Sequence, residues 1–138
     1  MGANLKELIY GFCGGIADGR KMLGVQTGGA SGAIVNADQI DVALDIDHVS
    51  ASGGRLACGT IMVYSDKNCI VDVLRNDLDF FREESCGQCT PCREGTYELY
   101  RLVTKISEGK GSVADLNTIH ELCEVMKNTA LCGLGVSA

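Results

Sequence analysis

The stretch ESCGQCTPCREG, residues 84–95, sets Cys86, Cys89 and Cys92 three positions apart. Three thiols this close can share one centre only if the backbone between them turns tightly. Gly87 permits such a turn, and Pro91 stiffens the approach to the third thiol. The Cys-x2-Cys-x2-Cys spacing suits an iron–sulfur cubane, which offers several iron corners to one short loop. A single zinc ion is less natural here, because zinc ligands usually arrive as separated pairs. A fourth ligand must come from Cys13, Cys58, Cys69, Cys123 or Cys132.

The elements that would position these thiols can be read from periodicity. A first helix is expected from Asp66 or Asn68 to about Glu84, with Ile70, Val73, Leu74, Leu78 and Phe81 inward. A second is expected from Arg93 to near Gly109, with Leu99, Leu102, Val103 and Ile106 inward. Ser112 and Asp115 form a capping-box pattern for a third, running to about Thr129. Its expected apolar face is Val113, Leu116, Ile119, Cys123 and Met126. Three such helices on short loops pack as an antiparallel bundle. That packing brings Cys132, in ALCGLG just past the third helix, to the cysteine loop. Cys123 lies on an apolar face and reads as core. Cys132 is therefore the better fourth ligand. On this reading Cys92 immediately precedes the second helix, so free amides and Arg93 would stabilise an anionic centre. Glu83, Glu84 and Glu94 pull the other way.

Residues before the bundle have another texture, rich in Gly with punctuation at 14–15, 28–29 and 53–54. Asn4 and Glu7 suggest a short capped helix with Leu5, Leu8, Ile9 and Phe12 on one face. KMLGVQT (21–27), GAIVN (32–36) and GTIMVYS (59–65) read as strands. One helix amid a few short strands fits a small ubiquitin-like sheet. The fold class is thus α+β, divided at 1–66 and 67–138.

Bulk properties narrow the function classes. A chain of 138 residues buries about two-thirds of its unfolded surface and needs no staple merely to fold. Its net charge of −6, without any Lys/Arg block, argues against nucleic acid as partner. MGANLKELIY lacks the apolar core of a secretion signal, and Lys6 stands where myristoylation wants Ser or Thr. Leu56–Tyr64, the longest apolar stretch, is too short to span a bilayer. A cytoplasmic location without membrane insertion is expected. In that compartment eight cysteines, three of them clustered, point to metal or redox chemistry rather than disulfides.

Two motifs together carry a family resemblance. ESCGQCTPCREG followed by CGLG (132–135) resembles the NADH-oxidising flavoprotein subunit of respiratory complex I and its counterparts in NAD(P)-linked hydrogenases and formate dehydrogenases. VQTGGASGAIV (25–35) and GTIMVYSDKNCIVDV (59–73) resemble the β-grasp, or SLBB, domain preceding the cluster domain of that family, with QTGG closer to the hydrogenase branch. The resemblance implies a 4Fe-4S cluster on Cys86, Cys89, Cys92 and Cys132 that takes electrons from FMN. It also implies partners among the ferredoxin-like iron–sulfur subunits of a multi-subunit redox complex, which can sit on the cytoplasmic face of a membrane. The family's N-terminal domain for FMN and NAD(P)H has no counterpart in these residues, nor has the helix that normally follows CGLG. The chain thus resembles a C-terminal fragment that would not oxidise NADH alone.

Other features read more simply. GGASGA (28–33) is a strand-to-strand turn rather than a nucleotide loop. Asp38, Asp41, Asp45 and Asp47 miss the calcium-loop spacing and read as solvated surface. His48 and His120 stand apart, neither a ligand, and Cys13, Cys58 and Cys69 read as core or surface thiols. Two alternatives to electron transfer remain: a structural zinc site that locks the bundle, and a protein-interaction module with incidental thiols.

Overall fold

The computed structural model describes residues 2–138, which divide after Asn68 into two compact units. The first is a three-stranded antiparallel sheet with short helices. β1 (Met22–Thr27) lies between β2 (Ile34–Asn36) and β3 (Ile61–Ser65). Val25 faces Val35 on one side and Val63 on the other. As the central strand, β1 is buried from Gly24 to Thr27. Its two buried polar residues are both engaged: Tyr64 donates to Gln26 Oε1 at 2.6 Å, and the Arg55 amide donates to Thr27 Oγ1 at 3.0 Å. The strand-to-strand turn at GGASGA holds a short 3-10 helix, Gly29–Ser31.

α1 (Leu5–Glu7) begins as the sequence predicts, with Asn4 Oδ1 accepting from the Glu7 amide. It then widens into a π-helical turn over Leu8–Phe12, closed by the Cys13 amide on the Leu8 carbonyl. The wider turn breaks the 3.6-residue phase. Leu5 and Ile9 consequently enter the core with Val25, Val35 and Ile40, whereas Phe12, expected inside, is 77% exposed. α2 (Ile46–Ala51) is an element the apolar pattern does not announce. Asp45, read as a solvated carboxylate, caps it by accepting from the His48 amide, and pairs with the His48 ring at 2.7 Å.

The second unit, Cys69–Ala138, is helical: α3 (Ile70–Glu84), α4 (Thr90–Ser107), α5 (Val113–Thr129) and a short α6 (Gly133–Ser137). α3 starts behind Cys69, because Asn68 instead accepts from the Ser65 amide and closes the turn after β3. Leu78, Leu99, Val103 and Met126 form the core. Two faces match the apolar pattern in their later turns and depart from it in their first. On α3, Ile70 and Leu74 are exposed, while Leu78 and Phe81 are buried as expected, Val71 packs inward and Arg82 lies 4.7 Å from the Tyr100 ring centroid. On α5, Val113 and Leu116 are exposed, and the buried stripe runs Asp115, Ile119, Leu122, Met126. A charged pair accounts for the departure on α5. Lys105 of α4 donates to both Asp115 carboxylate oxygens at 2.8 Å, so α5 turns its acid towards α4.

The Ser112–Asp115 capping box is present in full. Lys105 first, then Ser112, holds the Asp115 carboxyl down from 3.8 to about 2. A depressed folded-state pKa stabilises above the unfolded value, and that stabilisation is lost as pH falls through the folded one. Thermal melts of wild type and Asp115→Asn should therefore differ most above about pH 4 and converge towards pH 2. A gap independent of pH would contradict this assignment. At the other end of the α4–α5 contact, a Cβ on Gly95 would sit 2.8 Å from Met126 Cγ and closer still to Sδ. Met126 is 2% exposed and has little room to yield. Gly95→Ala should cost about 1–3 kcal/mol in urea unfolding.

Candidate metal centre

The cysteine loop leaves α3 at Glu84 and enters α4 at Thr90. Gly87 makes the tight turn with φ +73°, a conformation L side chains resist. Its amide donates to Ser85 Oγ at 3.3 Å, and its carbonyl accepts from Arg93 Nη1 at 2.8 Å. The turn is thus clasped from both sides.

α4 begins three residues earlier than Arg93, the expected start. Pro91 accounts for this, since its fixed φ suits a first helical turn and its missing N–H is no loss there. Cys89, not Cys92, therefore stands immediately before the helix. Cys92 lies inside the first turn and is 5% exposed. The backbone amide of Leu131, with that of Cys92 next in weight, holds the Cys89 thiol below its ordinary range. The helix-start argument thus applies to Cys89.

Leu131 belongs to the segment between α5 and α6, and Cys132 directly precedes α6. One turn into α6, Gly135 is buried against Cys92. A Cβ there would lie 2.9 Å from Cys92 Cβ, 3.3 Å from its Sγ and 2.8 Å from Ala130 Cβ. The chain flanking Cys132 therefore meets Cys89 at residue 131 and Cys92 at residue 135. Cys86 and Cys132 are themselves exposed, and among the described residues no three Cys, His or carboxylate side chains converge as a ready metal-holding group. All eight cysteines are free thiols. Cys123 is half-buried against the α4–α5 core, and burial pushes its thiol up. Cys13, Cys58 and Cys69 are exposed; Thr60 holds the Cys58 thiol below its ordinary range.

An all-sulfur donor set unconsumed by disulfides, with a glycine cradling the one buried thiol, fits a thiolate-bound iron–sulfur centre. Sequence reasoning missed Ser85 and the close contact of Gly135. An isolated hydroxyl carries no periodic signal, and Gly135 reads only as backbone freedom until its neighbours are known.

The helical unit thus carries a cysteine loop between two helices, α3 and α4, with the 131–135 segment beside it. Residues 72–138 match the NADH-ubiquinone oxidoreductase-F iron–sulfur binding region. The chain is 42% identical over 98% of its length to the NADP-reducing hydrogenase subunit HndC of Solidesulfovibrio fructosivorans, and covers 28% of that protein. It is 35% identical over its whole length to a subunit of the NADH-quinone oxidoreductase of Rhizobium meliloti, covering 33% of it. The chain therefore spans a third or less of the curated relatives named here. An NAD+-reducing NiFe hydrogenase in its H2-reduced state has a chain that superposes with a TM-score of 0.84 at 29% identity, over 99% of this chain and 22% of its own.

Gly135→Ala should displace the 130–135 segment from α4 and lower iron incorporation on reconstitution. Gly133→Ala, where a Cβ meets nothing within 4 Å, should leave it unchanged. Equal iron content in the two variants would show that the close contact is dispensable.

Proposed function

We propose that the chain is the iron–sulfur electron-transfer part of an NAD(P)H-linked oxidoreductase of hydrogenase or complex I type. Cys86, Cys89, Cys92 and Cys132 are the four thiolate ligands. Bound there, a 4Fe-4S cluster supplies a one-electron store between FMN and the next carrier. FMN and NAD(P) belong to the parent protein, and the partners are other subunits of a multi-subunit redox complex. The carrying observation is the double contact of the 131–135 segment, Leu131 on Cys89 and Gly135 on Cys92. It favours Cys132, which lies between them, over Cys123, which is committed to the apolar core.

Each part of the chain has a share in this work. Gly87 shapes the loop, and Arg93 fastens it through the Gly87 carbonyl. Amides of Leu131 and Cys92 favour the thiolate form of Cys89, the form that binds metal. Thr96 donates to the Cys92 carbonyl at 2.8 Å and steadies the first turn of α4. The helical core keeps the two cysteine-bearing segments in register. No helix among the described residues is long and apolar enough to cross a membrane.

Anaerobic reconstitution with iron and sulfide tests this function. The chain should turn brown, and reduction should produce an EPR signal that Cys132→Ser abolishes and Cys123→Ser retains. Uptake of zinc but not iron would sink the electron-transfer reading. Loss of the signal in Cys123→Ser, with Cys132→Ser intact, would overturn the choice of fourth ligand.

A further inference from the structure

Cys92 is the one buried thiol of the eight, so its sulfur has little solvent to share charge with. Ser85 supplies a polar neighbour, with Oγ 3.3 Å from Cys92 Sγ. In the free chain either atom could donate. A metal-bound thiolate carries no proton, so there the hydroxyl must donate and the sulfur accept. The Gly87 amide agrees with this sense: it donates to Ser85 Oγ at 3.3 Å and takes up one of its two lone pairs, leaving the hydroxyl proton free to turn to the sulfur. Arg93 holds the Gly87 carbonyl and so fixes the turn that delivers this amide. The relay runs Arg93, Gly87, Ser85, Cys92, all within the loop and the first turn of α4.

We infer that Ser85 sets the reduction potential of the centre through an O–H···S hydrogen bond to Cys92. The inference rests on the ligand assignment proposed above. One-electron reduction adds negative charge, which the sulfur ligands share. A donor to one of those sulfurs stabilises the reduced state more than the oxidised state and raises the potential. Partial burial strengthens the bond, since the local dielectric is below that of water. Ser85 touches the ligand rather than the metal and is thus a tuning residue.

The test is an EPR-monitored redox titration of the reconstituted full chain, with iron counted per chain. Ser85→Ala should bind wild-type iron and titrate at a more negative midpoint, while Ser85→Thr, which keeps the hydroxyl, should restore the wild-type value. Ser85→Val, matching Thr in shape without the hydroxyl, should follow Ser85→Ala. A midpoint unchanged in Ser85→Ala or Ser85→Val overturns the inference. If both fail to hold iron while Ser85→Thr holds it, Ser85 serves assembly rather than potential, and the inference is again overturned. A wild-type chain that takes up no iron would instead sink the ligand assignment, which is a separate failure.

Discussion

Gly95 of α4 packs directly against Met126 of α5, and the position of the cysteines depends on that contact. With no side chain at 95, the Met126 thioether fills the space against α4, one turn beyond Cys92. Met126 is also near the end of α5, and the Ala130 amide closes the helix on its carbonyl at 2.9 Å. Pinning Met126 therefore fixes where the chain emerges from α5. It emerges beside α4, so Leu131 meets Cys89 and Gly135 meets Cys92 within the next five residues. A side chain at 95 would push the helices apart and carry this segment away.

One contact fixes a distance but leaves rotation free. Rotation is set at the far end of α5, where Lys105 grips Asp115 and the capping box locks the same carboxylate to Ser112. α3 is fixed to α4 in a similar way. Arg82 stacks over Tyr100 near the cysteine loop, and Ser107 donates to Asp72 at the opposite end. Each helix pair thus combines an apolar middle with polar contacts that choose one rotation. Apolar packing alone tolerates several, whereas a charged pair has one geometry.

This division of labour decides what is legible in the sequence. The three long helices, the three strands and the α5 capping box follow from apolar period and capping residues. The faces of α3 and α5 follow in their later turns, where Leu78, Phe81, Ile119, Cys123 and Met126 lie inward, but not in their first turns, where Ile70, Leu74, Val113 and Leu116 are exposed and α5 turns Asp115 inward instead. The start of α4 lies three residues before Arg93 because Pro91, a residue at home in a first helical turn, decides it. α2 is a six-residue helix, too short to show a period, and only Asp45 announces it. The cysteine spacing is legible in full. The contacts of Ser85 and Gly135 need the fold, because they join residues with no shared pattern.

The electrostatic balance at the proposed centre comes down to particular pairs. Glu83 and Glu94 oppose added negative charge only to the extent that their own charge is free. Both lie in close ion pairs, Glu83 with Arg82 at 2.6 Å and Glu94 with Arg93 at 2.9 Å. Seen from the thiols, each pair is a dipole whose field falls off faster than that of a lone charge, and solvent screens it further. The donors facing the sulfurs are much nearer: the Leu131 and Cys92 amides at Cys89, and the Ser85 hydroxyl at Cys92. Short-range donors in partly dry surroundings act more strongly than paired charges on the wet surface. An acidic chain can thus hold a locally favourable site for an anionic centre, because two of the three acids at the rim are matched by arginines and its donors are aimed inward.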